Sequence, residues 1–104
     1  MNQASSGENR AEAARRILSN ATRVELDPKE LDLTKLGLRN LPDALRFCQD
    51  LTVLNLRSNQ LESMPTWIKE LQALQDLDVS SNQLSQLPES IGALSELKKT
   101  ESVA

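Results

Sequence analysis

A spacing of 23 residues between equivalent leucines most constrains how this 104-residue chain can fold. Stepping forward by 23 from Leu51 gives Leu74 and then Leu97. Further leucines, asparagines and prolines match at the same offset throughout the units 51–73 and 74–96. Internal repetition with a period of roughly 20–50 residues indicates a solenoid, because each unit buries its apolar side only by stacking on its neighbours.

One pattern, L-x-x-L-x-L-x-x-N-x-L, occurs over residues 51–61 and again over residues 74–84. Its alternating leucines give a short strand one apolar face. A side-chain amide at the asparagine position can hydrogen-bond the backbone of its own turn and of its neighbour. Proline after the pattern stops strand pairing and favours an extended path. The structural residues assigned in this way are Asn59, Asn82, Pro65, Pro88 and Leu36, which takes the asparagine position of the first unit.

These units resemble leucine-rich repeats, and the motif L-P-x-x-I-x-x-L is similar to the cytosolic 23-residue class of Ras-group, ROCO-type and bacterial arrays. The resemblance covers residues 31–97. It implies an α/β fold, a short right-handed leucine-rich-repeat solenoid with parallel strands on its concave side. It also implies an asparagine ladder that starts in the second unit, with Leu36 meeting the cap.

Four parts follow from this pattern. They are a flexible N-terminus (1–7), a cap helix with its connector (8–30), three repeats (31–97, divided at about 31–50, 51–73 and 74–96) and a short C-terminal tail (98–104). The tail breaks the leucine pattern, so three interpretations stay open. It forms a polar lid, it leaves an open edge that self-associates or docks a partner, or the chain is a piece of a larger signalling protein.

An N-terminal helix is predicted from a capping box with Ser5 as N-cap and Glu8 three residues later. We expect this helix to end near Ser19. Its expected inward face consists of Ala14, Ile17, Leu18 and Ala21. A membrane or partner helix is the alternative, but two adjacent apolar anchors are too few for a membrane helix. The favoured interpretation is a cap on the first repeat, since solenoids need polar caps for solubility.

Composition argues against several classes of function. A net charge of −3 and the scarcity of aromatic residues disfavour nucleic-acid binding. The absence of histidine removes the commonest general base and metal ligand, so we expect no catalytic residue, metal or cofactor, and no enzyme. Cys48 is expected to be a small buried residue. Without an apolar run of about 20 residues or a signal peptide, we predict a cytoplasmic protein that binds no membrane.

The predicted binding residues lie between the buried leucines, on the concave face of such a solenoid. By the 23-residue offset they are Glu30, Asp32, Thr34, Val53, Asn55, Arg57, Asp76, Asp78 and Ser80. Four carboxylates against one guanidinium suit a basic segment of another protein. An ordinary solvated surface is the alternative interpretation. A bridge from Arg57 to Asp32 and Asp78 would weaken the acidic field.

Two aromatic residues lie outside the strands. Trp67 has two interpretations, either packing across neighbouring repeats or serving as an exposed anchor for a partner. Phe47 is expected to pack beside the cap. The predicted function is therefore a protein-binding module, an adaptor, inhibitor or scaffold in signalling, and the alternative is an assembly subunit that forms a homodimer through its C-terminal edge.

Overall fold

The computed structural model describes residues 8–22, 29–84, 89–94, 97 and 99–101. One helix precedes four short strands: α1 (Arg10–Thr22), β1 (Glu30–Asp32), β2 (Val53–Asn55), β3 (Asp76–Asp78) and β4 (Lys99–Glu101). Between the strands lie 3₁₀ helices at Asp43–Phe47, Thr66–Glu70 and Glu89–Ala93. The strands form one parallel sheet in chain order, so each crossover stacks one coil of chain on the previous one.

Neighbouring strands pair at the 23-residue offset found in the sequence. Leu31 is opposite Leu54, which is opposite Leu77 in the next strand. All three side chains are buried, because alternate residues of a strand point to the same side and this side faces the core. The leucine period therefore fixes the register of the sheet.

The C-terminal segment extends the sheet beyond the leucine pattern. Sequence analysis assigned residues 98–104 to a short tail, but Lys99–Glu101 within it forms β4. Thr100 is opposite Leu77, again 23 residues away. A parallel ladder is made by backbone groups, so it continues where the side-chain pattern stops.

On the side opposite the strands, proline directs the chain into the first two 3₁₀ helices. Pro42 and Pro65 adopt extended conformations, with ψ of 136° and 150°. The helices that follow bury Leu45 and Ile68. Pro65 thus occupies the extended position expected of it, and Pro88 lies outside the described residues.

Asn59 joins two consecutive units through its buried amide. Its Oδ1 accepts hydrogen bonds from the N–H groups of Leu36 and Leu38, both at 3.0 Å. Its Nδ2 donates to the carbonyls of Leu33 and Leu56 at 2.8 and 2.9 Å. One side chain therefore satisfies four backbone groups that the turns leave without partners in the sheet.

Asn82 repeats this arrangement one unit later with less burial. Its Oδ1 accepts from the N–H of Leu61 at 3.0 Å, and its Nδ2 donates to the carbonyls of Leu56 and Val79 at 2.9 and 3.0 Å. Leu36, at the equivalent position of the first unit, is buried in the core instead. The ladder in the described residues therefore starts in the second unit.

The cap helix starts four residues later than the proposed capping box requires. Asn9 is the N-cap, since its Oδ1 accepts from the Glu12 N–H at 3.1 Å. Glu8 lies outside the helix and accepts hydrogen bonds from the Arg39 N–H and from the Arg10 guanidinium at 3.0 and 3.1 Å. Glu8 thus fastens the helix start to the first repeat, and Ser5 lies outside the described residues.

The buried face of α1 differs from the expected one. Ile17 is buried as predicted, but its buried neighbours are Ala13 and Asn20. Ala14 is exposed and the Leu18 side chain is 66% exposed, while the side chain of Ala21 is outside the described set. Asn20 turns inward because its Nδ2 donates to the Glu30 carbonyl at 2.7 Å, a tertiary contact that apolar periodicity does not report.

We expect Asn59→Ala to lower the free energy of unfolding by more than about 3 kcal/mol, because four backbone groups lose their partner inside the fold. Asn82→Ala should have a smaller effect, since Asn82 is only partly buried. Urea denaturation followed by circular dichroism measures both. Equal losses in the two variants would contradict the leading role of Asn59.

Candidate protein-binding face

The nine predicted residues of the concave face are brought together in three rows that cross the sheet. Row one is Glu30, Val53 and Asp76; row two is Asp32, Asn55 and Asp78; row three is Thr34, Arg57 and Ser80. Members of rows one and two lie on adjacent strands, whose spacing is about 4.8 Å, and members of row three each lie two residues after a strand end. The residues of rows one and two alternate with the buried leucines, so their side chains point away from the core, to the concave side of the sheet.

Row two holds the turns that end the strands. Asp32 Oδ1 accepts hydrogen bonds from the Thr34 N–H at 2.9 Å and from the Thr34 hydroxyl at 2.6 Å. Asp78 Oδ1 accepts the same pair of bonds from Ser80 at 3.0 and 2.6 Å. Asn55 Oδ1 accepts from the N–H two residues later at 3.1 Å. These are Asx turns, so one oxygen of each row-two side chain is engaged within the chain.

The backbone just after each Asx turn explains why these bonds are needed. Lys35, Ser58 and Ser81, again 23 residues apart, have φ of 59°, 63° and 58°. Non-glycine residues rarely adopt this left-handed region, and they do so where the surrounding structure enforces it. Sequence reasoning missed this role of row two, although an Asp or Asn two residues before Thr or Ser is a signal for it.

Row one contains the carboxylates that the fold does not use. Within the described residues, the Glu30 and Asp76 carboxylates make no ion pair and no hydrogen bond. Glu30 is exposed and Asp76 partly buried, and Val53 between them is partly buried. Two acceptors beside an apolar surface are therefore available to a partner.

Arg57 does not form the expected bridge. The side chain is exposed, and the ion pairs of the described ranges do not include it. The Oδ1 atoms of Asp32 and Asp78 already accept hydrogen bonds from their own turns, so they are less able to bind an arginine on a neighbouring strand. The acidic character of the face is thus not cancelled by an Arg57 bridge.

The two aromatic residues have opposite environments. Trp67 is partly buried against the core, and the Arg46 guanidinium carbon lies 5.8 Å from its ring centroid. Arg46 also pairs with Glu70 at 2.9 Å, so Trp67 belongs to a contact across repeats. Phe47 is 80% exposed, and the expectation that it packs beside the cap is wrong. The 3₁₀ helix turns Leu45 inward and leaves Phe47 outward.

Cys48 lies in the core beneath the cap helix. Its side chain is fully buried, and its Sγ donates weakly to the Ile17 carbonyl at 3.9 Å. Burial raises the pKa of the Cys48 thiol, which opposes formation of the reactive thiolate. Among the residues that the structure describes, no group of three or more Cys, Asp or Glu side chains could hold a metal ion. No helix in that part of the chain is long and apolar enough to span a bilayer.

The comparisons with known proteins agree with this architecture. The chain belongs to the leucine rich repeat family, whose model matches residues 29–84 and 49–99. Members of this family commonly act as protein-interaction modules. No curated protein is significantly similar to this chain.

A solved structure of the leucine-rich repeat domain of the type III effector XopL matches with a TM-score of 0.71 and 24% identity, over 86% of this chain. The chain spans only 30% of the length of that domain. A leucine-rich repeat protein of Leptospira interrogans matches with a TM-score of 0.45 and 23% identity, over 83% of this chain and 32% of its own. The XopL likeness shows the fold alone.

We expect the protein to lose stability as the pH falls through the acid range. The Thr34 hydroxyl, which donates to Asp32, chiefly lowers the pKa of that carboxyl, and the Lys29 ammonium lowers the pKa of Asp50. A carboxyl whose pKa is lower in the folded than in the unfolded chain stabilises the fold at pH values above the pKa of the unfolded chain. This contribution to the free energy of unfolding disappears as the pH falls from about 5 to about 2. Asp32→Asn keeps an Oδ1 acceptor for the turn, as Asn55 provides in the second unit, but has no carboxyl to titrate. The free energy of unfolding measured in urea should therefore depend less on acid pH in that variant.

The Cys48 thiol should react with a disulfide reagent at least about tenfold more slowly in the folded protein than in urea, since access requires the cap to open. Ile17→Ala should accelerate the folded-state reaction by loosening α1. The matched control is Leu18→Ala, because Leu18 is 66% exposed and contributes little to docking. Equal rates in the two variants would show that α1 does not shield the thiol.

Proposed function

We propose that this chain is a non-enzymatic protein-interaction module whose concave face binds a basic segment of a partner protein. The observation that carries the proposal is row one, where Glu30 and Asp76 flank Val53 and have no partner among the described residues. Family membership supports the general role, and the charge of the face supports the chemistry of the partner.

The spacing of the two row-one carboxylates favours a partner segment that carries two basic side chains a few residues apart. Glu30 and Asp76 lie two strand spacings apart, which is about 10 Å between backbones. An extended segment covers that distance in about three residues. Opposite charge on the two surfaces accelerates association and rejects acidic competitors, and Val53 adds apolar contact.

Docking through the C-terminal edge is the second candidate. Within the described residues, β4 pairs only with β3, so its other side presents backbone donors and acceptors. Such an edge is a template for a further strand, from a second copy or from a longer array. Sedimentation over a range of concentrations separates the candidates, since only this one requires self-association or a strand-donating partner.

The proposed setting is the cytoplasm, with the module acting as an adaptor, inhibitor or scaffold in signalling. Its support is a single cysteine kept as a buried free thiol, which is compatible with a reducing compartment.

Replacing Glu30 and Asp76 together by lysine should weaken partner binding by about tenfold or more, because two attractive contacts become repulsive. Asp78 is left unchanged, since it holds a turn and its loss would disturb the fold. The measurement is cross-linked capture from native lysate, followed by mapping of the cross-linked partner segment.

The matched control is the double variant Glu62→Lys with Glu89→Lys, which changes net charge by the same amount at exposed positions outside the three rows. This control should bind like the parent chain. Unchanged binding in the row-one variant, or equal loss in the control, would contradict the assignment of the face. A partner segment without basic residues would do so as well.

A further inference from the structure

A cavity of about 320 Å³ lies where the cap helix meets the first strand. It is lined by all three residues of β1 and by four residues of α1, which are Arg15, Arg16, Ser19 and Asn20. We call it the α1–β1 cavity. Since Glu30 belongs both to this lining and to row one, the cavity is continuous with the proposed binding face.

Asn20 brings an unsatisfied acceptor to this lining. The residue is only 4% exposed, and its Nδ2 donates to the Glu30 carbonyl at 2.7 Å. Its Oδ1 is buried and has no hydrogen-bond partner in the part of the chain that the structure describes. Buried polar atoms in native proteins are nearly always paired, so this oxygen indicates a place where a donor is missing.

Neither arginine of the lining donates a hydrogen bond to the Asn20 Oδ1. Arg15 and Arg16 both bind the Glu12 carboxylate, at 2.6 and 2.8 Å. Arg16 also donates to the Asp32 carbonyl at 2.9 Å. Among the described residues, the acceptors of the cavity that have no partner are the Asn20 Oδ1, the Glu30 carboxylate and the second carboxylate oxygen of Asp32. A ligand that fits must therefore donate hydrogen bonds, and a cationic donor also pairs with Glu30.

We propose that the α1–β1 cavity is the anchor site for one arginine side chain of the partner's basic segment, an inference that rests on the function proposed above. A guanidinium offers five N–H donors in one plane, so it can serve the Glu30 carboxylate and the Asn20 oxygen together. Because the Asn20 Oδ1 is buried in the free chain, the lining side chains must move slightly before a guanidinium can donate a hydrogen bond to it.

The test uses Nα-acetyl-arginine amide as the probe, with NMR detection of the Asn20 side-chain amide in the full chain. We expect a saturable shift of that resonance. The citrulline analogue keeps the shape and loses the charge, so it should bind about tenfold more weakly, and the lysine analogue should also bind more weakly than arginine. Glu30→Gln should weaken arginine binding by about tenfold, while Glu62→Gln should leave it unchanged.

Three results would each overturn the anchor site: no saturable shift at Asn20, equal binding of arginine and citrulline, or parent-like arginine binding by Glu30→Gln. The proposed function has its own readout in the capture experiment. If capture depends on row one while the Asn20 resonance ignores arginine, the anchor is wrong and the binding face stands. If arginine binds the cavity and capture ignores row one, the cavity is an arginine site and the partner proposal fails.

Discussion

The stacking of one 23-residue unit on the next is the constraint on which the rest of the structure depends. Leucine columns supply the apolar part of each interface, and Asn59 supplies the polar part by satisfying four backbone groups from two units. Neither part exists within an isolated unit. In an array where each unit contacts only its neighbours, weakening one interface removes support from everything stacked on it.

The same stacking divides the concave face into a structural and an available part. The strands β1, β2 and β3 are each followed by a turn with positive φ, and Asp32, Asn55 and Asp78 stabilise those turns. Row two therefore serves the fold first. Row one lies two residues earlier on each of these strands, where no turn requires a side-chain acceptor, and the Glu30 and Asp76 carboxylates have no partner among the described residues.

Sequence reasoning predicts whatever the period encodes: the repeats, the strand register and the asparagine ladder. It fails where the position of a side chain is decided by a contact between the helix and the repeats, which the period does not describe. Asn20 turns inward in place of Leu18 because a strand carbonyl faces it, and Asn9 replaces Ser5 as the helix start. The leucine pattern reaches Leu97 and then stops, so it does not predict the strand Lys99–Glu101, which backbone pairing adds to the sheet.

The width of the sheet in the described residues decides how much of an extended partner segment it can contact. Four strands span only three spacings, about 14 Å, which an extended partner segment crosses in about four residues. So few contacts give only a small net free energy of binding once the loss of translational and rotational entropy on association is subtracted. In the proposal above, the cavity beside Glu30 holds one charged side chain of the partner and concentrates the interaction at a single point, as interfaces with few dominant residues do. Under the same proposal, the cap helix contributes to recognition through the wall it adds beside the first strand, besides covering the apolar end of the first repeat.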